Sequence, residues 1–145
     1  MHTGIVILAR LLALIFCAVS LFHIAWALGI RIGGAHALPE RPDGSLALQP
    51  GPASALAVAG LLFLAALLVT QRVGLGRELL PAALVSPGCW VLSAAFILRA
   101  IGEFRYVGFF KRVRGTAFAR MDTRYYSPLA LLLGVGTAIL ASGGW

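Results

Sequence analysis

Residues 99–126 read RAIGEFRYVGFFKRVRGTAFARMDTRYY. This stretch holds seven of the twelve basic residues and two of the five acids, and oily runs flank it on both sides. Charge gathered into one stretch, beside segments with almost none, predicts the polar end of a small membrane bundle. The apolar segments then cross the bilayer so that this stretch lies at one of its faces.

The composition points the same way. The chain has 145 residues, 60% of them hydrophobic and only 12% charged, with a mean hydropathy of +0.93. A soluble domain carries about 25% charged and about 45–50% apolar residues, and a single domain this short cannot bury the excess. Lipid is therefore the expected solvent. The formal charge of +7 would suit nucleic acid if it were spread over a soluble surface. Concentrated beside hydrophobic spans, it points instead to anionic lipid headgroups, and no nucleic acid is expected. Cys17 and Cys89 both fall inside apolar runs, without the spacing of a redox or metal motif, and read as small core residues.

Working outward, four spans are expected, at about 4–28, 53–70, 81–101 and 127–142, with a basic loop over 102–126. The first is interrupted only by Arg10 and is long enough to cross, since about 20 apolar residues suffice at 1.5 Å rise each. A cleaved leader is the rival reading, with Leu11–Phe22 as its apolar region and Ala25-Trp26-Ala27 as its cleavage site. The apolar run Ile5–Ala9 and the bulky Trp26 argue against it. Arg31 to Pro52 is dense in helix breakers, among them Gly33, Pro39, Pro42, Gly44, Pro50 and Pro52, and reads as the first loop. The second span is rich in small residues that let membrane helices approach closely. In the third, Pro87 either restarts or kinks the helix. The fourth is expected to begin with Ser127 as N-cap and Pro128 as first helical residue. It is short, so Tyr125 and Tyr126 at one interface and Trp145 at the other are expected to complete it as aromatic anchors.

With four spans both termini share one side. Loops one and three carry Arg31, Arg41, Arg105, Lys111, Arg112, Arg114, Arg120 and Arg124, against Arg10, Arg72 and Arg77 for the other side. Positive-inside bias puts the 102–126 loop in the cytoplasm and both termini outside. Whatever the orientation, the first and third spans run the same way. His23 and Trp26 near the end of the first should therefore lie at the depth of Arg99 and Glu103 at the end of the third. Asp122, Tyr125 and Tyr126 enter the fourth from the same face.

These residues form the candidate ligand-binding set: His23, Trp26, Arg99, Glu103, Asp122 and Tyr126. Arg99 and Glu103 are spaced i, i+4 and can pair on a continuous helix, which lowers the cost of keeping an arginine near hydrocarbon. His23 and Trp26, at i, i+3, share a face, and an intramembrane histidine is a functional candidate by default. In the basic loop, projection at about 100° per residue gathers Tyr106, Phe109, Phe110, Val113 and Ala117 into one arc. Arg105, Lys111, Arg112 and Arg114 fall outside it, the pattern of an amphipathic helix lying among headgroups. Those four are the candidate lipid-headgroup contacts, while Gly102, Gly108 and Gly115 leave room for bends. No catalytic residue, cofactor or metal is expected. A bis-histidine haem lacks its second intramembrane ligand, because His2 and His36 fall in terminus and loop, and no three- or four-ligand zinc pattern is present.

The run RAIGEFRYVGFFKRVRGTAFARMDTRYYSPL, with FHIAWALG in the first span and the PGP before the second, resembles the small bacterial and archaeal membrane proteins grouped as domain of unknown function 3995. The resemblance covers nearly the whole chain. It implies an integral membrane protein of several helices in a prokaryotic cytoplasmic membrane, and it supplies no catalytic residues to carry over.

The expected fold is thus all-α: an integral membrane four-helix bundle with a basic interfacial segment between helices three and four. The leading functional expectation is a non-enzymatic protein whose cytoplasmic basic face engages anionic lipid or a protein partner. The alternative is a membrane-embedded enzyme or binder for a small amphipathic molecule, a lipid or a quinone, at the interfacial end of the bundle. A transporter would need a second copy to line a path. Gly60, Ala65, Ala66, Gly134, Gly136 and Ala138 suit close helix contacts, either within one protomer or between the copies of a homo-oligomer.

Overall fold

The computed structural model describes residues 3–30, 33 and 36–143; His2, Arg31 and Trp145, named above, lie outside the described residues. It is all-helical and has four helices long and apolar enough to cross a membrane. Helix α1 spans Thr3–Ala27, α2 Pro52–Arg72 and α3 Ala82–Ile101. Helix α4, Ala117–Met121, passes through a π turn at Asp122–Tyr126 into α5, Ser127–Ser142, so the fourth span is the continuous run Ala117–Ser142.

Local chemistry explains the helix ends. Beyond α1, Ile30 N–H reaches Ala25 O at 2.9 Å and Gly29 N–H reaches Trp26 O at 3.0 Å, with Gly29 at φ +82°. This is the Schellman arrangement, which takes up last-turn carbonyls and needs a left-handed residue that glycine supplies without strain. The end of α2 repeats it: Leu75 N–H bonds Thr70 O and Gly74 N–H bonds Gln71 O, at 2.9 and 3.0 Å. Pro52 opens α2 in the first turn, where its missing N–H costs nothing. At Pro87 α3 neither breaks nor restarts.

The start of the fourth span differs from expectation. Thr116 is its N-cap, accepting Ala119 N–H at 3.1 Å, and Ser127 lies inside the helical run without a capping role. Pro128 explains how both are possible. It has no N–H for the carbonyl of Arg124, and its ring crowds that carbonyl. The helix widens instead, and Ser127 N–H bonds Asp122 O in the π pattern.

Helix α1 packs chiefly on α2, and α3 chiefly on α5. The pairs meet over Ala9, Leu12 and Phe16 of α1, Leu62, Ala65, Ala66 and Val69 of α2, and Leu133 and Leu140 of α5. Phe16 touches Phe96 of α3, with ring centroids 5.4 Å apart. The inner positions of α1, at 9, 12, 16 and 20, repeat every three or four residues, as a single helical stripe must. Two serines on inner faces are satisfied across helices: Ser20 Oγ donates to Ala59 O and Ser93 Oγ to Gly134 O, both at 2.8 Å. Facing outward are Leu14, Leu21, Leu61, Val91 and Leu132, all exposed. An apolar exterior around small-residue contacts is the arrangement lipid selects. Of the small residues named above, Ala65, Ala66, Gly134 and Gly136 are consumed inside one chain, while Gly60 faces outward.

Candidate functional site

At one end of the bundle, the segment between α3 and α4 folds back on the helix it leaves. Gly102 and Gly108 sit at φ +92° and +90°, and their backbones approach so closely that a Cβ on Gly102 would stand 1.8 Å from Val107 O. Only glycine fits there. The reversal brings Phe109 N–H to Ala100 O at 2.8 Å and Phe110 N–H to Ile101 O at 3.3 Å, which satisfies carbonyls at the α3 terminus. Residues 102–116 are therefore turns and bends rather than the expected amphipathic helix.

This fold-back buries a charge cluster around Asp122. The carboxylate lies in the π turn, wholly buried. Oδ1 accepts Arg99 Nη2 at 2.9 Å. Oδ2 accepts Gly108 N–H and Lys111 Nζ, each at 2.9 Å, and Ser127 Oγ at 3.1 Å. Lys111 is 1% exposed, and it also donates to Gly108 O at 2.9 Å and Thr123 Oγ1 at 2.6 Å. Two cations and neutral donors thus satisfy the one anion, the condition under which buried charge is tolerated; Arg99 Nη1, also buried, has no hydrogen-bond partner among the described residues. The cluster ties together the end of α3, the fold-back segment and the start of the fourth span.

Of the sequence-derived set, Arg99 and Asp122 meet. Glu103 does not pair with Arg99. The helix ends at Ile101, so the i, i+4 register is broken, and Glu103 instead accepts the backbone N–H groups of Tyr106 and Val107. Tyr126 packs on Phe118, with centroids 6.0 Å apart, and its hydroxyl donates to His36 O at 3.3 Å, tying loop one to the fourth span. His23 Nδ1 donates to Val19 O at 2.9 Å, and the ring stands edge-on to Trp26 at 4.9 Å. These contacts of His23 are with its own helix, not with the Asp122 cluster. Arg99 and Glu103 do share a shallow, open depression of about 420 Å³ with Leu98, Gly102 and Val107. Among the described residues, no three His, Cys, Asp or Glu side chains come together as a metal site would require.

Of the four expected headgroup contacts, Arg105, Arg112 and Arg114 are exposed. Lys111 is a correction: the glycine-enabled reversal turns it inward onto Asp122, away from any headgroup. Arg105 lies over the Tyr106 ring and Arg124 over Tyr125, at 5.1 and 5.4 Å, each keeping its charge at the surface. Gly108, Thr123 and Ser127 were not singled out as partners of the charged residues. The glycine spacing in the basic stretch was the available signal for the reversal, but it does not say which side chain the turn swings inward.

No curated protein and no solved structure matches the chain. One family model does, described as "Protein of unknown function (DUF3995)", over residues 16–137. That range takes in the charge cluster, the glycine reversal, all of α2 and α3, most of the fourth span and the second half of α1. The chain belongs to that family.

Proposed function

We propose that this is a non-enzymatic integral membrane protein of the cytoplasmic membrane, whose basic face, on the cytoplasmic side, engages anionic lipid headgroups. One observation carries the reading. At the end of the bundle where α3 leaves and α4 enters, Arg105, Arg112, Arg114, Arg120 and Arg124 are all exposed. None has an ion-pair partner among the described residues, where the ion pairs are those of Arg99 and Lys111 with Asp122. A surface of uncompensated guanidinium groups beside a bilayer attracts anionic lipid, by about 1 kcal/mol per residue near the surface. Exposed Phe104 and Phe110 stand on the same segment, suited to the boundary between headgroups and acyl chains.

The test is the lipid that co-purifies. Replacing Arg105, Arg112, Arg114 and Arg124 together with alanine should remove the enrichment of phosphatidylglycerol over zwitterionic lipid. Unchanged enrichment overturns the reading. Lys111 is left in place, because its removal would test folding rather than lipid contact.

A second reading is favoured by the depression beside Arg99 and Glu103, where a small amphipathic molecule, a lipid or a quinone, could seat its polar end. It predicts a stoichiometric ligand in native mass spectra of the protein extracted in its own lipids, lost on Arg99→Ala. A spectrum without such a ligand removes this reading and leaves the first standing.

A further inference from the structure

Loop one closes into a small hairpin on the same face. Arg41 N–H bonds Ser45 O at 2.7 Å and Gly44 N–H bonds Arg41 O at 3.0 Å, with Glu40 bridged to Leu46. Opposite stands the second half of the fold-back segment. Between them runs a groove of about 570 Å³, with Glu40 and Arg41 on one wall and Arg112, Arg114 and Thr116 on the other. Three arginines and one glutamate therefore line it. The nearby Asp43 is not on the wall. Its carboxylate takes the Ser45 hydroxyl at 2.6 Å and the Ser45 N–H at 2.9 Å, and these bonds hold it below the usual carboxylate range.

Little of the arginines' donor capacity is spent. Arg114 uses Nε on Lys111 O at 3.1 Å, and Arg41 reaches Ser45 Oγ at a weak 3.4 Å. No ion pair involves Arg41, Arg112 or Arg114 among the described residues. Both walls are also held in place before any ligand arrives. The hairpin bonds fix one. The Lys111–Asp122 pair fixes the other, and the Tyr126 hydroxyl bond to His36 O ties the two sides of the face together. Arginine forks match the oxygens of phosphate and carboxylate bidentately, and pre-organised walls reduce the ordering cost of binding. Ala117, where the fourth span begins, is among the groove's lining residues, which suits a position near the headgroups.

We propose that the groove between loop one and the fold-back segment binds a single phosphate group, carried by an anionic lipid headgroup or free in solution on that side. The lipid source rests on the reading given under Proposed function; the phosphate site itself does not. Glu40 sets the charge limit, leaving room for one phosphate rather than a polyphosphate.

The test uses the full chain, delipidated in non-ionic detergent and titrated under native mass spectrometry with phosphatidylglycerol or phosphatidylcholine. Calorimetry with inorganic phosphate runs alongside. The wild type should take up one saturable phosphatidylglycerol. Arg41→Gln/Arg112→Gln/Arg114→Gln should weaken that first binding event at least about tenfold, as loss of a charge-assisted contact worth about 1.4 kcal/mol requires. The double variant Arg41→Gln/Arg112→Gln, confined to exposed side chains, should show most of the loss, and Glu40→Gln should tighten binding. Arg105→Gln/Arg124→Gln, on the basic face but outside the groove, should weaken the first event by a clearly smaller factor than the groove variants do. Equal weakening by the inside and outside sets overturns the groove while the broader lipid reading stands. No weakening by either set, or equal uptake of both lipids by wild type, overturns both when inorganic phosphate also fails to bind. Inorganic phosphate bound at one per chain and lost in the triple variant supports the site and assigns a soluble ligand. Uptake of phosphatidylglycerol alone assigns the lipid.

Discussion

Lys111 Nζ and Asp122 Oδ2 stand 2.9 Å apart with both side chains closed off, at 1% and 0% exposure. One member belongs to the most basic stretch of the chain and the other to the fourth span. Their contact helps hold the fold-back segment to the helix bundle, beside the bonds from Phe109 N–H to Ala100 O and from Gly108 N–H to Asp122 Oδ2. It also divides the basic residues by role, with Lys111 inside as structure and the arginines around it outside.

Removing the anion should therefore cost far more than removing an exposed cation. Asp122→Ala leaves Lys111 buried without a counter-charge, a loss expected at about 3–5 kcal/mol. Arg99→Ala should cost about 1 kcal/mol or less, because its side chain is 37% exposed and water screens the pair. Reversible unfolding in mixed micelles gives both numbers. Lys111→Met should recover part of the loss in an Asp122→Asn background, and strict additivity of the two changes would show that the pair is not coupled.

The reversal after α3 depends on two glycines. A Cβ at Gly108 would stand 2.4 Å from Gly102 Cα and from Ile101 O, and its φ is +90°. Alanine there adds left-handed strain of about 1–2 kcal/mol to a backbone overlap that no side-chain movement relieves. Gly108→Ala and Gly102→Ala should each lose more than about 2 kcal/mol, and should expose Lys111 to amine-reactive labelling in the folded detergent-bound protein. Wild-type labelling of Lys111 at the rate of a free lysine would contradict the burial on which this depends.

Close helix contact makes a second pair of glycines unequal. At Gly134 of α5 a Cβ would meet Ile97 Cγ1 at 2.7 Å and Ser93 O at 3.1 Å, while at Gly60 of α2 nothing lies within 4 Å. Gly134→Ala should destabilise by about 1–3 kcal/mol through overpacking. Gly60→Ala should be neutral or gain up to about 1 kcal/mol from helix propensity. A loss at Gly60 of the size seen at Gly134 would instead indicate that α2 packs on a second copy there.

Orientation gives a prediction that needs no stability measurement. In a chain with Cys17 and Cys89 replaced by alanine, Arg112→Cys should react with a membrane-impermeant maleimide only after the membrane is permeabilised. Arg77→Cys, in the loop between α2 and α3, should react in intact cells. The opposite pattern would invert the topology that positive-inside bias assigns and would put the phosphate groove on the outer face.

The number of spans, the approximate extent of the first three and the membrane setting were legible in the sequence, because each depends on residues that are neighbours along the chain. Hydropathy is a running sum, and the breakers at Gly29, Pro52 and Gly102 act within a turn of where they stand. The start of the fourth span was not legible. Arg120, Asp122 and Arg124 look too polar to belong to a membrane helix, and Pro128 looks like a beginning. Asp122 is admitted only because Arg99, Gly108, Lys111 and Ser127 converge on it, and Pro128 only because a π turn absorbs it. For the same reason the sequence offered Glu103 as the partner of Arg99, four residues away, when the partner is Asp122. It also set Lys111 among the headgroup contacts. A chain-local pattern cannot say how a helix is rotated about its axis or which side chain a glycine reversal swings inward. Those were decided by the tertiary structure, where a buried charge must find its counter-charge or remain in water.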